Sequence, residues 1–269
     1  STPGRMDSPH REAAPLLYLT GASSGIGQAL ALRHAAGGGR LALVARRVDA
    51  VRAWLDAQRI GPERAAVYQA DVRDVDAIVG AGQACIAAQG LPDVVIANAG
   101  VSIGVDTGER ADLEIVRELF DTHCLGMAAT FQPFVHAMWQ RRRGTLVGIA
   151  SMAAIRGLPG HAAYCGSKAA VLNYCESLRG ECRPHGVRVV TLLPGYIDTS
   201  MTRGNPYPMP FLMAAEAFAE QAWRAIERGD SRRVIPWQMA IVAKLLRLLP
   251  NPLFDRVLAG RGRKPRRVP

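Results

Sequence analysis

The chain has 269 residues, 49% of them hydrophobic and 21% charged, with a formal net charge of +10. This is ordinary globular composition, and the length suits one α/β domain, or two small ones, whose core needs no metal or disulfide staple. The positive excess could suit nucleic acid or an anionic membrane, but Arg256, Arg261, Arg263, Lys264, Arg266 and Arg267 follow the last acid, Asp255, and supply six of the ten charges, which reads as a solvated tail.

Residues Ser1–Arg5 precede Met6 and look like an expression scar; the polar start to Ala14 lacks the apolar core of a signal peptide. Leu16–Thr20 is the first expected strand, followed by a glycine-rich turn and a helix over Ile26–Ala36. Arg40–Ala45 is the second strand, with a helix to Gln58, and Ala65–Ala70 is the third. A small-residue helix covers Asp74–Gln89 and leads to a strand at Asp93–Ala97. A long helical stretch runs over Asp112–Gln140, with a kink expected at Pro133. Gly144–Ala150 is the fifth strand, His161–Arg183 a helix, and Val187–Leu193 the sixth strand. A loop with Pro206, Pro208 and Pro210 leads to a helix over Ala214–Arg228 and a last strand at Arg232–Pro236. Such alternation predicts an α/β fold: one doubly wound parallel sheet of about seven strands with helices on both faces, spanning 15–236. Its site is expected at the carboxyl ends of the strands, near the point where strand order reverses.

The five cysteines, Cys85, Cys124, Cys165, Cys175 and Cys182, are odd in number and no pair has metal-ligand spacing. They read as free thiols in a reducing compartment, so a cytoplasmic protein without a metal site is expected. No stretch is long and apolar enough to span a bilayer.

The turn Thr20-Gly21-Ala22-Ser23-Ser24-Gly25-Ile26-Gly27 lies between a strand and a helix. Gly21 permits the tight turn, Gly25 the approach of a pyrophosphate, and Gly27 close helix–strand packing. The helix N-terminus then offers free N–H groups to phosphates. In this strand–turn–helix context it is expected to be the phosphate turn of a Rossmann-like domain. Arg46-Arg47 follows the second strand, where NAD-binding domains of this kind place an acid for the ribose 2′-hydroxyl; an arginine instead pairs with a 2′-phosphate. Tyr164 and Lys168 stand at i, i+4, on one helix face. A neighbouring ammonium is expected to lower the tyrosine pKa from near 10 and make it a better proton shuttle. Ser151, after the fifth strand, is placed to reach the same carbonyl oxygen.

These landmarks, with Asp71-Val72, Asn98-Ala99-Gly100 and Pro194-Gly195 followed by Ile197 and Thr199, resemble the short-chain dehydrogenase/reductase family over Leu16–Pro236. The resemblance implies that Tyr164 is the general acid/base. Lys168 would bind the nicotinamide ribose, and Ser151 would orient and polarise the substrate oxygen. Asp71 and Val72 fall where the family contacts adenine, Asn98 where it braces the central strand, and Gly100 in the same turn. Ile197 and Thr199 fall beside the nicotinamide amide, Pro194 and Gly195 are cofactor-binding positions just before them, and Arg46 resembles the 2′-phosphate binder of NADP-preferring members. One position departs: His123 stands where the family often carries a tetrad asparagine, and a role in the proton path and a structural role are both open.

The chain continues past Pro236 as an amphipathic basic extension, 237–269. Ile241, Leu245 and Leu248 recur at helical spacing, and Leu253, Phe254, Val257 and Leu258 form a second stripe. Packing over the substrate cleft or across a dimer is the first reading, and docking on a membrane surface the second. The expected function is NADP(H)-dependent hydride exchange with a hydrophobic carbonyl or secondary alcohol by a homodimer or homotetramer. The loop Met201–Met213 has no cluster of charges to grip a multiply charged substrate. A catalytically idle NADP-binding sensor or scaffold is the alternative; a nucleic-acid partner is not expected, since no groove-reading motif is present.

Overall fold

The computed structural model describes residues 13–23 and 25–267. Ser1–Arg5 and Ser24 lie outside the described residues. β1 (Leu16–Thr20) is buried at every position, because helices cover both faces of its sheet. The chain then alternates through α1 (Gly25–Ala36), β2 (Arg40–Ala45), α2 (Val48–Ala57), β3 (Ala65–Gln69), α3 (Val75–Gln89) and β4 (Val94–Ala97). Asp74 starts α3 by accepting a 3.1 Å hydrogen bond from the Ala77 N–H, which satisfies one of the free donors of the first turn.

The stretch expected as one helix is broken. α4 (Asp112–Phe120) passes through a π-helical turn, Asp121–Leu125, into α5 (Gly126–Arg141). Pro133 sits inside α5. Gly82 of α3 makes room for its ring, since a methyl at Gly82 would lie 2.7 Å from Pro133 Cγ. The irregularity therefore falls at the π turn, which carries His123, and such insertions gather at functional positions.

β5 (Thr145–Ile149), α6 (Ala162–Cys182), β6 (Arg188–Pro194), α7 (Ala215–Arg228) and β9 (Arg232–Ile235) complete the main unit. The seven strands pair in the order β3-β2-β1-β4-β5-β6-β9, and every pair is parallel. This is the doubly wound Rossmann-like sheet, with its reversal between β1 and β4. A two-residue pair, β7 (Ile197–Asp198) with β8 (Met213–Ala214), was too short to show in the sequence periodicity. One core packs α1 and α7 on the sheet through Leu30, Phe218 and Trp223. The other packs α3, α5 and α6 through Ile78, Phe134 and Val171.

The extension forms α8 (Gln238–Leu248) and α9 (Asn251–Leu258). Their inner faces bury Met239, Ala243, Phe254 and Leu258. Arg156 fastens the pair: its guanidinium donates to the carbonyls of Leu246 and Leu249 and to Asn251 Oδ1, and lies 3.7 Å over the Phe254 ring. The outer face stays uncovered, with Leu248 79% exposed beside Ile241 and Leu245.

The solvated-tail reading of the last residues is corrected by the structure. Residues 259–267 return across the molecule as a strap. The Gly104 N–H donates to the Pro265 carbonyl at 3.0 Å, and Arg266 pairs with both oxygens of Asp112 at 2.7 and 3.0 Å. Asp112 is only 3% exposed, so its charge requires such a partner. Arg267 pairs with Glu118 at 2.8 Å.

Candidate functional site

The turn after β1 is held by its glycines. Gly21 and Gly25 adopt φ of +70° and +59°, which residues with a Cβ rarely reach. A methyl on Gly27 would lie 2.2 Å from the Gly21 carbonyl oxygen and 2.8 Å from Asn98 Nδ2. Asn98 ties β4 to this turn, donating from Nδ2 to the Gly21 oxygen at 3.2 Å, while its N–H donates to Thr20 Oγ1 at 3.0 Å. The first turn of α1 carries no acid, so its free N–H groups and positive dipole are left for a phosphate.

A cleft runs from this turn along the carboxyl ends of the strands. Gly21, Ser23, Gly25, Ile26, Asn98 and Gly100 line it. His123, Ser151, Tyr164, Lys168, Pro194, Gly195, Ile197 and Thr199 line it too. Gly27 is buried beneath the turn. Arg46, Asp71 and Val72 stand outside this lining, at the ends of β2 and β3. Gln69 Nε2 donates to the Arg46 carbonyl at 3.2 Å. Arg73 pairs with Asp71 at 2.8 Å and, with help from Arg46, holds its carboxyl below the usual range. Val72 is buried, and its Cβ lies 3.0 Å from where a methyl on Gly126 would stand.

A second cavity adjoins the first, and Ser151, Tyr164 and Gly195 are among the residues that belong to both. Its walls are mostly apolar, including Met152, Ile155, Leu158, Met201, Val242 and Leu246. Ser151 caps a short 3-10 turn at Met152–Ala154, where Oγ accepts from the Ala153 N–H at 3.1 Å. Lys168 donates from Nζ to the Ile149 carbonyl at 3.0 Å, and burial pushes its pKa down to about 8. Burial pushes Tyr164 up to about 12, against a hydrogen bond with Ser151. The expectation that the ammonium lowers the tyrosine pKa is therefore corrected for this state. Desolvation of the phenolate sets the sign, and Lys168 Nζ lies 6.0 Å from the ring centroid.

His123 has both ring nitrogens engaged. Nε2 accepts from the Val101 N–H at 3.1 Å, so the proton is on Nδ1, which donates to Ser167 Oγ at 2.7 Å. Ser167 in turn donates to the Tyr164 carbonyl at 3.1 Å. Burial, then the charge of Lys168, holds His123 well below the ordinary histidine pKa. Its ring meets Tyr164 edge-on at 5.7 Å.

Sequence reasoning missed three residues here. His161, one helical turn before Tyr164, stacks on its ring at 4.9 Å; only that spacing could have signalled it. Arg261 and Lys264 reach the second cavity from the strap, and nothing local in the sequence places them there. Among the described residues no cluster could hold a metal ion, and no helix is long and apolar enough to cross a membrane.

With this geometry in place, the comparisons with known proteins decide the family. The family model described as short chain dehydrogenase matches residues 16–207. The chain belongs to the short-chain dehydrogenase family. It is similar to an uncharacterised oxidoreductase of Myxococcus xanthus, 41% identical over 237 residues that cover 88% of this chain and 93% of that protein. An uncharacterised oxidoreductase of Mycobacterium tuberculosis is 35% identical over 246 residues, covering 89% of this chain and 96% of that protein. Among solved structures, a short chain dehydrogenase from Burkholderia cenocepacia in complex with NADP matches with a TM-score of 0.77 and 25% identity, over 91% of this chain and 98% of that one. The chain is thus an oxidoreductase of the short-chain dehydrogenase family, a family that uses nicotinamide cofactors.

Proposed function

We propose that this short-chain dehydrogenase exchanges a hydride between NADP(H) and a hydrophobic carbonyl or secondary alcohol. The observation that carries the reading is that Ser151 and Tyr164 line both the cofactor cleft and the apolar cavity. The cleft fits a dinucleotide, because its glycine turn leaves no room for a Cβ where a pyrophosphate is expected to approach. When bound, the nicotinamide supplies the hydride to the carbonyl carbon. Tyr164, pushed up to about 12, holds its proton at neutral pH and gives it to the carbonyl oxygen. Ser151 donates a second hydrogen bond to that oxygen as negative charge grows on it. Lys168 would hold the ribose hydroxyls of the bound cofactor and would stabilise the phenolate left on Tyr164. A panel of apolar ketones and secondary alcohols, followed by cofactor absorbance, tests this. Turnover of none of them, with NADP(H) still bound, favours the sensor or scaffold alternative.

NADP(H) is expected to bind at least tenfold more tightly than NAD(H). Arg46 is exposed at the end of β2, where its guanidinium would pair with a 2′-phosphate for about 1.5–3 kcal/mol. Calorimetric titration of both cofactors checks this, and Arg46→Ala should remove most of the difference. Equal affinities in the wild type would sink it.

His123 serves as a positioning residue for the helix turn that bears Tyr164. His123→Asn is expected to keep kcat within about tenfold, ~1.4 kcal/mol of barrier. Carbonyl reduction should fall as pH rises through about 8, because Lys168 then loses its charge. That limb should be the same in wild type and variant, since His123 stays neutral across it. A limb near neutral pH that moves in the variant would restore the relay reading.

A groove on another side of α8 from its uncovered apolar face supports a partner as well. Arg232, Arg233, Trp237, Lys244 and Arg247 line it. A symmetric contact between two copies through this groove would bring like charges together, so an anionic surface fits it better, while a homodimer or homotetramer would form through other faces. The five free cysteines suit a cytoplasmic setting.

A further inference from the structure

Four of the strap's five cations fall into two pairs that are treated differently. Arg266 and Arg267, on the outside, meet the carboxylates of Asp112 and Glu118. Arg261 and Lys264 line the apolar cavity, and among the described residues neither has a carboxylate partner. The cavity lining contains no Asp or Glu. Lys264 Nζ spends two of its three donors on the Met201 carbonyl at 2.9 Å and Asn205 Oδ1 at 2.7 Å. Its pKa is lowered, with burial the only cause; no anion offsets that cost. Arg261 donates to the Tyr196 hydroxyl at 2.6 Å and lies 4.8 Å over the Tyr207 ring, which leaves other guanidinium N–H groups free for a ligand. Both cations act on His161, lowering its pKa to about 4 after the larger effect of burial. His161 is the residue stacked on Tyr164, so the positive charge stands close behind the reacting position. His161 Nε2 is also buried without a hydrogen-bond partner among the described residues.

We infer that the substrate of this cavity carries an anionic oxygen group, a carboxylate or a phosphate, on its apolar body, and that Arg261 and Lys264 receive it. The inference rests on the reading above in taking the cavity for the substrate's. It also qualifies the expectation that the loop Met201–Met213 has no cluster of charges to grip a multiply charged substrate. The loop's one charged residue, Arg203, pairs with Asp198 at 3.0 Å and is not in the cavity lining, but the strap, far away in sequence, delivers two cations to it. The apolar walls take the body of the molecule, and the carbonyl reaches Ser151 and Tyr164. Two donors fixed to one anion distinguish a charged ligand from its neutral isostere, because the isostere would leave both cations unpaired.

Equilibrium binding to the full chain loaded with NADP tests this without turnover. The probes are octanoate, octyl phosphate and octanamide. At least one anion is expected to bind ten or more times tighter than octanamide, and which one does so identifies the group. That preference should drop below threefold in Arg261→Met and in Lys264→Met, with octanamide binding retained. Arg267→Met, which removes the same charge from the outer, paired position, should keep the wild-type preference. Equal binding of all three probes by wild type, or no binding of either anion at millimolar concentration, overturns the inference whatever the variants do. A preference that survives in both inner variants overturns the assignment to these residues. The two readings fail separately. Reduction of neutral ketones with no preference for anions removes the anion site alone. Anion binding without reduction of any carbonyl by NADPH removes the catalytic reading alone.

Discussion

Tyr164→Phe is expected to lower turnover about a thousandfold or more, ~4 kcal/mol of barrier, the upper part of what a positioned general acid contributes. Phenylalanine keeps the ring that stacks on His161 at 4.9 Å and meets His123 at 5.7 Å. It removes only the hydroxyl beside Ser151, so folding and NADP(H) affinity should stay within about threefold of wild type on the scale where tenfold is 1.4 kcal/mol. Lys168→Ala should lose both activity and cofactor affinity, because Lys168 lines the cofactor cleft and supports Tyr164 from the same helix. Single-turnover rates and cofactor titrations on both variants separate the two roles. Near-normal turnover by Tyr164→Phe, with any good substrate, would mean that the proton comes from elsewhere.

Removal of residues 237–269 is expected to damage substrate binding far more than cofactor binding. The extension supplies Met239, Val242, Leu246 and Leu258 to the apolar cavity but no residue to the cofactor cleft. Loss of roughly 100 Å² of apolar contact with the substrate costs about 2.5 kcal/mol, which raises KM on the order of 50- to 100-fold. NADP(H) affinity should hold, since the phosphate turn and its Asn98 brace are built at β1 and β4, in the middle of the sheet, from residues outside the extension. The same truncation removes α8 but leaves Arg232 and Arg233 in place. Its mass in solution and its binding to anionic vesicles therefore report what the uncovered face does in the full chain. Unchanged kinetics, mass and vesicle binding would make the extension dispensable.

Several parts of this protein were legible from local sequence because they are decided locally. Leu16–Thr20 reads as a buried strand because its apolar run has no polar face, and the structure gives the same bounds. Gly21, Gly25 and Gly27 mark a turn that only glycine can make, since positive φ and a 2.2 Å approach to a carbonyl exclude other side chains. Tyr164 and Lys168 share a helix face by spacing alone. The alternation of strand and helix then fixes parallel pairing, because right-handed crossovers leave few other arrangements.

The rest depended on which distant segments meet. The π turn at Asp121–Leu125 was invisible, because the helical pattern runs through it and the proline that looked disruptive is accommodated by Gly82 on another helix. The direction of the Tyr164 shift followed from burial, a property of the assembled site. The ammonium four residues away pointed the other way. His123 could be placed by resemblance, but its neutral state follows from burial and the charge of Lys168, and its tautomer from Val101 and Ser167, 22 and 44 residues away in sequence. The strap is the clearest case. Six basic residues after Asp255 look solvated, since no acid lies near them in sequence. Arg266 instead meets Asp112, 154 positions earlier, and Lys264 meets Asn205 across 59. Sequence by itself determined the sheet, the phosphate turn and the Ser151–Tyr164–Lys168 set, because each rests on backbone geometry or short-range spacing. The tertiary structure alone decided the direction of the pKa shifts at the site and the charge of the apolar cavity beside it, because desolvation and ion pairing depend on what is close in space.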